Sequence, residues 1–416
     1  MNPTLRIQLS LMMFLEYFIK GAWFVTLGTY LTVNLKATGF ETANIFSTHS
    51  LGAVLAPLLI GLLADRFFNA ERLLAILHFV GAYLLFMMYR SVNATAFYPY
   101  VFLYFIAYMS SLAITNTIAF RHLSDAKKQF PSIRVWGTVG WIISGILISY
   151  FFGWDKSDAV VKGFLRNTFL LAGGASLLLS SLSFMLPKSP PLKYPAGTKQ
   201  GIIAILGLDA LSLLKQKDFL VFFISAILIC IPLAFYYQQA NPYLTAIGLP
   251  NPTAKMAIGQ LSEGLCLLLI PFFLLRLGFK KTVILGIGAW VVRYLLFAYG
   301  NADDLTFMLI LGIALHGICY DFLFVAGQIY TDTIAGDRYK GSAQGLVTIA
   351  MYGIGMLIGF WVAGYITEYY KAQDAASYWK SMWLSPAYIA AIVLIIFFFL
   401  FQDRKSKWRD KTPSHS

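Results

Sequence analysis

The chain has 416 residues, 58% of them hydrophobic and only 12% charged, and its mean hydropathy is +0.69. Soluble domains carry roughly 25% charged residues, so the composition excludes a soluble globular protein and indicates an integral membrane protein. The formal charge of +13 would suit nucleic acid or an acidic membrane surface, and its placement along the chain decides between them.

A spanning helix needs about 20 mostly apolar residues. The sequence predicts twelve such segments: 10–33, 43–65, 72–90, 97–120, 133–153, 164–186, 219–240, 254–276, 281–299, 305–328, 341–365 and 380–402. Residues Met1 to Arg6 lead into an apolar run too long for a signal-peptide core, with no small-residue cleavage site after it, so the first segment is expected to stay as an anchor. The longest break runs from Pro187 to Asp218 and holds Pro187, Pro190, Pro191, Pro195 and five lysines. It is read as a cytoplasmic linker over 187–218, between a six-helix bundle over 1–186 and a second over 219–416 that ends in a basic tail. With both termini and the linker on one side, 21 Lys/Arg fall there and 8 on the other, while Lys20, Arg134 and Arg293 lie inside segments. The rich side is cytoplasmic by the positive-inside rule. The charge is then mainly a topology signal, and no nucleic-acid partner is expected.

Cys230, Cys266 and Cys319 all sit in apolar runs without a CxxC or Cys/His cluster, so neither a disulfide framework nor a metal site is predicted. There is no P-loop and no Ser/His/Asp or Cys/His arrangement, and Gly286-Ile-Gly288 lies inside a helix, where it reads as close packing. No enzyme and no cofactor are expected. Asn93-Ala-Thr fits a glycosylation pattern and is treated as chance.

Six ionisable residues lie well inside apolar runs: Glu16, Lys20, Arg134, Glu263, Arg293 and Asp321. At about 2.5–3.5 kcal/mol per central charge, six facing lipid would cost roughly 15–20 kcal/mol, so most must face inward, toward a partner or a water-filled cavity. Glu16 and Lys20 are four apart and suit a pair on their own helix; Lys20 at a cavity wall would instead favour an acidic substrate group. Arg134, Thr138 and Trp141 share one helix face, joining a cation, a hydroxyl and a large ring. The alternative for Arg134 is snorkelling toward headgroups. Arg293 is read as structural. Gln260 and Glu263 share a face, either as a hydrogen-bonding wall or as a clamp between helices. Asp321, in His316-Gly-Ile-Cys-Tyr320-Asp321, has no adjacent cation. An isolated carboxylate in low dielectric favours its neutral form, and a cation across a cavity favours the charged one. An acid held between those tendencies loads and releases a proton as its surroundings change. Rings beside polar groups, Trp23, Trp141, Tyr237 and Tyr320, suit stacking on a planar ligand, although helix packing is the commoner use.

The two halves also read as related. Adding 210 carries Arg66 to Arg276, Ser132 to Ser342, Gly145 to Gly355 and Arg134 to Gln344. Two six-helix halves in the same orientation are the parallel repeat of the major facilitator superfamily, with a substrate site between them near mid-membrane. Gly61-Leu-Leu-Ala-Asp65-Arg66 resembles the start of that superfamily's signature loop, departing at Phe68. More closely, the chain resembles the nucleoside:proton symporters, the bacterial nucleoside permeases. The resemblance is carried by Gly21-Ala-Trp-Phe-Val-Thr-Leu-Gly-Thr-Tyr30, Ile133-Arg-Val-Trp-Gly-Thr138, Leu206-Gly-Leu-Asp-Ala210, Gln260-Leu-Ser-Glu263, Ile270-Pro-Phe-Phe273, Arg293-Tyr-Leu-Leu-Phe-Ala-Tyr-Gly300 and Ser342-Ala-Gln-Gly345.

That resemblance implies an all-α membrane fold of twelve helices in two six-helix bundles, and proton-driven nucleoside uptake by alternating access. It implies substrate contacts from Arg134, Thr138 and Trp141 in the first half. From the second half it implies Gln260, Glu263, Tyr320 and Asp321, with Asp321 near the proton-coupling step. His316 is a further candidate contact, Glu263 and Arg134 are further candidates for proton coupling, and the Gly61, Asp65, Arg66 loop is the candidate gate. Two departures concern cargo. The amide pair implied on the seventh helix falls on Ala234 and Tyr237 here, with Gln238 and Asn241 nearby as candidate contacts, and Lys20 stands where a Trp is implied. A monomer surrounded by lipid, in a bacterial inner membrane with both termini cytoplasmic, is expected. The alternative cargo is a sugar, a sugar acid or a cell-wall sugar derivative; the alternative class is a non-transporting membrane sensor.

Overall fold

The computed structural model describes residues 2–63, 69–190, 208–374 and 377–402. Among the described residues the regular structure is helical throughout. Asn2 opens α1 (Pro3–Phe24), its side chain accepting from the Thr4 amide while proline occupies the first turn, a pairing of cap and Pro that suits a helix start. The chain continues through Leu27–Thr29 and a π-helical turn, Tyr30–Asn34. There follow α2 (Gly39–Leu63), α3 (Ala70–Arg90), α4 (Ala94–His122), α5 (Ala126–Ile146), α6 (Asn167–Ser183) and α7 (Lys217–Ala246). Asn93 caps α4 by accepting from the Ala96 amide at 2.8 Å, which gives that asparagine a structural use. Gly278, at φ 76°, divides the Pro252–Tyr299 rod into α8 and α9. Gly336, at φ 61°, separates α10 (Thr306–Gly336) from α11 (Lys340–Gln373). Both breaks need a backbone that only glycine adopts without strain. Last comes α12 (Tyr378–Leu400).

Nine described rods are long and apolar enough to cross a membrane. Dividing one of them at Gly278 and adding α2 and α6 gives the twelve helices expected. Large apolar side chains such as Phe79, Phe151, Leu178, Leu268 and Phe399 are more than 60% exposed. A soluble surface does not carry apolar residues on this scale, whereas a lipid-facing one does. Asp65 and Arg66, much of the linker, and the basic tail lie outside the described residues.

The chain forms two compact units. The first comprises Met1–Lys199, Tyr236–Ala257 and Ala363–Glu368. Within it α1 packs on α5 and α6, α3 on α4 and α6, and α2 on α4. The α1–α5 contact is close because it is lined by glycine: a Cβ at Gly140 would collide with the Phe14 carbonyl, and one at Gly21 would sit 3.1 Å from the Trp141 backbone. Small residues at a helix interface permit such approach in a membrane. The start of α8 is held in this unit by an acid. Asp155 Oδ2 accepts from the Thr253 amide at 3.0 Å and from Ser149 Oγ at 2.5 Å, and Ser149 Oγ accepts from the Ala254 amide at 2.9 Å. A carboxylate at a helix N-terminus satisfies free N–H groups and complements the helix dipole. Glu368 likewise accepts from the Gly39 amide at 2.5 Å.

The second unit comprises Gln200–Phe235, Ile258–Val362 and Tyr369–Ser416. Its core is aromatic. Tyr294 stacks on Trp383 at 5.5 Å and on Trp290 at 5.7 Å, and its hydroxyl donates to the Pro232 carbonyl. That bond ties α7 to α9 and satisfies a fully buried phenol, a group that hydrocarbon surroundings would leave unpaired.

Candidate functional site

In the first unit α1 is buried from residue 12 to residue 24, except for a half-exposed stripe at Phe14, Tyr17 and Lys20. Arg134 lies on the facing helix with its guanidinium 3.9 Å from the centre of the Tyr17 ring. Gly137 makes room for this stack, since a Cβ there would meet the Tyr17 ring at 2.6 Å and Arg134 Nη1 at 2.8 Å. Arg134, Thr138 and Trp141 are all half-buried, so the shared face read from their spacing is a partly open one. Tyr17 was missed by sequence reasoning, because one tyrosine in an aromatic-rich chain gives no signal until its ring is seen under a cation.

Tyr237, Gln238 and Asn241 fall in the part of α7 that packs with this unit. Tyr237 meets Phe24 edge to face at 5.8 Å. Gln238 is fully buried, and neither its amide nitrogen nor its oxygen has a hydrogen-bond partner among the described residues. Asn241 is engaged instead: its oxygen accepts from Thr29 Oγ1 at 2.5 Å and its nitrogen reaches Thr253 Oγ1 at 3.4 Å. The Gln238 backbone carbonyl lies against Gly28.

The Glu16–Lys20 pair suggested by spacing is not formed. Glu16 turns to His78 Nε2 at 2.9 Å and Ser111 Oγ at 2.7 Å, while Lys20 Nζ contacts His49 Nε2 at 3.0 Å. Helical spacing permits a local pair, but helices α3 and α4 offer Glu16 better partners.

The second unit brings Glu263, His316 and Arg293 into a line. Arg293 is fully buried between α9 and α10, with Nη1 2.9 Å from His316 Nδ1. A guanidinium only donates, so His316 Nδ1 accepts and its hydrogen sits on Nε2. That N–H faces Glu263 Oε2 at 3.7 Å. Arg293 therefore does more than the packing expected of it: it fixes the tautomer that His316 presents to Glu263. The position of His316 is set by close helix contacts, with Ser262 Oγ donating to the Ala314 carbonyl and accepting from the Gly317 amide at 3.0 Å. Gln260 is half-buried one turn earlier on α8.

Asp321 begins a π-helical turn, Asp321–Val325, inside α10. Such turns are rare and favour functional sites. The residue is 1% exposed, its Oδ2 makes no hydrogen bond among the described residues, and it lies near enough to Glu263 for their charges to repel. Tyr320, beside it, shares a hydroxyl-to-hydroxyl hydrogen bond with Tyr352, which lies in a second π-helical turn, Ile349–Gly355. Tyr352 was also missed, for want of a polar neighbour in sequence.

Three comparisons bear on this arrangement. A family model described as Nucleoside H+ symporter matches residues 1–406. The chain is similar to the putative nucleoside transporter YegT of Escherichia coli (strain K12), 39% identical across 95% of this chain and 93% of that protein. It is also similar to nucleoside permease NupG of Escherichia coli (strain K12), 31% identical across 96% of each. A crystal structure of nucleoside transporter NupG superimposes with a TM-score of 0.86 at 30% identity, covering 97% of this chain and 100% of that one.

Proposed function

Starting from a chain that belongs to the nucleoside H+ symporter family, we propose that the polar groups described above are its cargo and proton sites. The protein is a multi-pass membrane transporter of the major facilitator superfamily that couples nucleoside uptake to protons, and it is not an enzyme. In our reading, Arg134, Thr138, Trp141, Tyr237, Gln238 and Asn241 from the first unit and Gln260, Glu263, His316 and Tyr320 from the second contact the nucleoside. Hydroxyls, amides and carboxylates suit ribose hydroxyls and base edges, and rings suit the base face.

Asp321 is the group that we assign to proton loading, with Glu263 and Arg134 as its partners in coupling. The observation that carries this is the bare Oδ2 of a fully buried carboxyl in a π-helical turn. A buried acid that holds the fold accepts hydrogen bonds, as Asp155 does through Oδ2, and a proton supplied from outside relieves both the isolation of Asp321 and its repulsion with Glu263. We further place the protein in a bacterial inner membrane as a monomer with both termini cytoplasmic, the 187–218 segment linking two six-helix bundles, and the Gly61, Asp65, Arg66 loop gating the transition.

The test is labelled-uridine accumulation in energised membrane vesicles. The wild-type protein accumulates uridine above equilibrium, a protonophore removes the accumulation, and Asp321→Asn shows none. Accumulation by Asp321→Asn equal to that of the wild type would withdraw Asp321 from the mechanism. Competition by neutral sugars stronger than by nucleosides would reassign the cargo.

A further inference from the structure

We infer that Lys20 and His49 form an anion-accepting subsite within the first unit, and that the preferred cargo is a nucleoside whose base is negatively charged near neutral pH. This rests on the transport reading above and narrows its cargo.

Donor counts set this pair apart. An ammonium has three N–H donors and no acceptor. Lys20 spends one of them on His49 Nε2 at 3.0 Å, and no carboxylate lies within ion-pair distance of it among the described residues. The acid one turn earlier, Glu16, is committed to His78 and Ser111. With Nε2 accepting, His49 carries its hydrogen on Nδ1, and that buried atom has no hydrogen-bond partner among the described residues either. The pair therefore presents donors alone: two on Lys20 and one on His49.

The surroundings suit a flat ligand. Lys20 Nζ lies 4.9 Å from the Phe24 ring centre and 5.6 Å from that of Tyr108. Phe24 also stacks on His49 at 5.6 Å and meets Tyr237 at 5.8 Å. Lys20 is on the half-exposed stripe of α1, one turn from Tyr17, the ring beneath Arg134. Lys20 is thus part-exposed on the face of α1 that carries Tyr17, while the groups around its Nζ, His49, Phe24 and Tyr108, are buried. A delocalised anion in a planar ring meets the single cation and the aromatic walls together. A phosphate dianion would bring two charges to a site with one ammonium, leaving one uncompensated in a partly dry environment.

The test compares inosine with xanthosine, which differ by one oxygen on the base; that oxygen makes the xanthine base acidic, so it is largely an anion near neutral pH. Binding of each to the purified full-length protein is measured by calorimetry, with inosine 5′-monophosphate as a third probe. A charge-assisted hydrogen bond exceeds a neutral one by enough to give xanthosine about a tenfold advantage over inosine. Lys20→Gln should reduce that ratio by at least about fivefold, and Lys20→Arg should restore most of it. Inosine bound as tightly as xanthosine by the wild-type protein, or an unchanged ratio in Lys20→Gln, overturns the subsite and leaves nucleoside transport standing. Stronger binding of the monophosphate than of xanthosine overturns the assignment to an ionised base. Absence of binding by any of the three overturns the transport reading, and the subsite falls with it.

Discussion

Two buried acids, one in each unit, occupy opposite environments. Glu16 in α1 is fully buried, yet His78 Nε2 lies 2.9 Å from one oxygen, Ser111 Oγ donates to the other at 2.7 Å, and Tyr108 donates to its backbone carbonyl at 3.1 Å. The network extends to Ser176, whose hydroxyl donates to the His78 carbonyl at 2.9 Å and so must accept from His78 Nδ1 at 3.0 Å. With Nδ1 committed as a donor, the contact between His78 Nε2 and Glu16 requires one proton between them. Asp321 is almost as deeply buried, but its Oδ2 has no partner among the described residues and Glu263 repels it. Burial alone therefore does not mark a working acid in this protein. What distinguishes the two is whether the fold has satisfied the carboxyl or left that to a proton from outside.

The largest expected effect breaks the comparison at its unsatisfied end. Asp321→Asn should abolish uphill nucleoside accumulation in vesicles while leaving nucleoside counterflow and the thermal melting of the purified protein close to wild type, because the fold has no bond to lose at Oδ2. A large drop in melting temperature with coupling intact would give Asp321 the role assigned here to Glu16. The mirror-image change is Glu16→Ala. It strands His78 in the core and should destabilise the protein by about 3–5 kcal/mol, the usual cost of removing one partner of a buried pair. Transport per folded molecule should stay proton-dependent. Melting curves and uptake normalised to folded protein separate the two variants.

The sequence distinguishes these acids poorly. Both are single carboxylates in apolar runs, and the i, i+4 spacing of Glu16 and Lys20 points to a pair that the fold does not make. Glu16 finds His78 and Ser111, which lie 62 and 95 residues away, and such long-range partners leave no periodic trace. The architecture was far more legible. Segment length and apolar composition predict twelve helices because a bilayer imposes a length on each of them. The Arg134, Thr138, Trp141 face was readable too, since 3.6-residue geometry alone places those side chains together. Arg293 was underestimated because its importance depends on His316, 23 residues on, and on a tautomer that only the donor geometry reveals.

Arg293 and His316 offer the next sharpening. His316→Gln keeps a side chain of similar reach but cannot accept from Arg293 and face Glu263 with the same rigid geometry. The loss of a hydrogen bond to a charged group is worth about 1.5–3 kcal/mol, so nucleoside affinity should weaken by roughly tenfold or more if His316 orients Glu263 for cargo. Isothermal binding at constant pH reads this directly, and an affinity within twofold of wild type would confine the Arg293–His316 contact to packing.

The smallest effect is expected at Tyr17, where the stack under Arg134 is tested without touching either acid. A cation over an aromatic ring contributes about 0.5–2 kcal/mol depending on how dry the site is. Tyr17→Leu should therefore weaken nucleoside binding by roughly threefold to tenfold, because Arg134 loses the surface that holds its guanidinium plane. Tyr17→Phe keeps the ring and should stay within about twofold, since the attraction resides in the π face and not in the hydroxyl. Equal losses in the two variants would move the effect to the phenol oxygen. Normal binding in both would leave Arg134 positioned by its own helix, with the glycine at 137 serving only to let α1 and α5 approach.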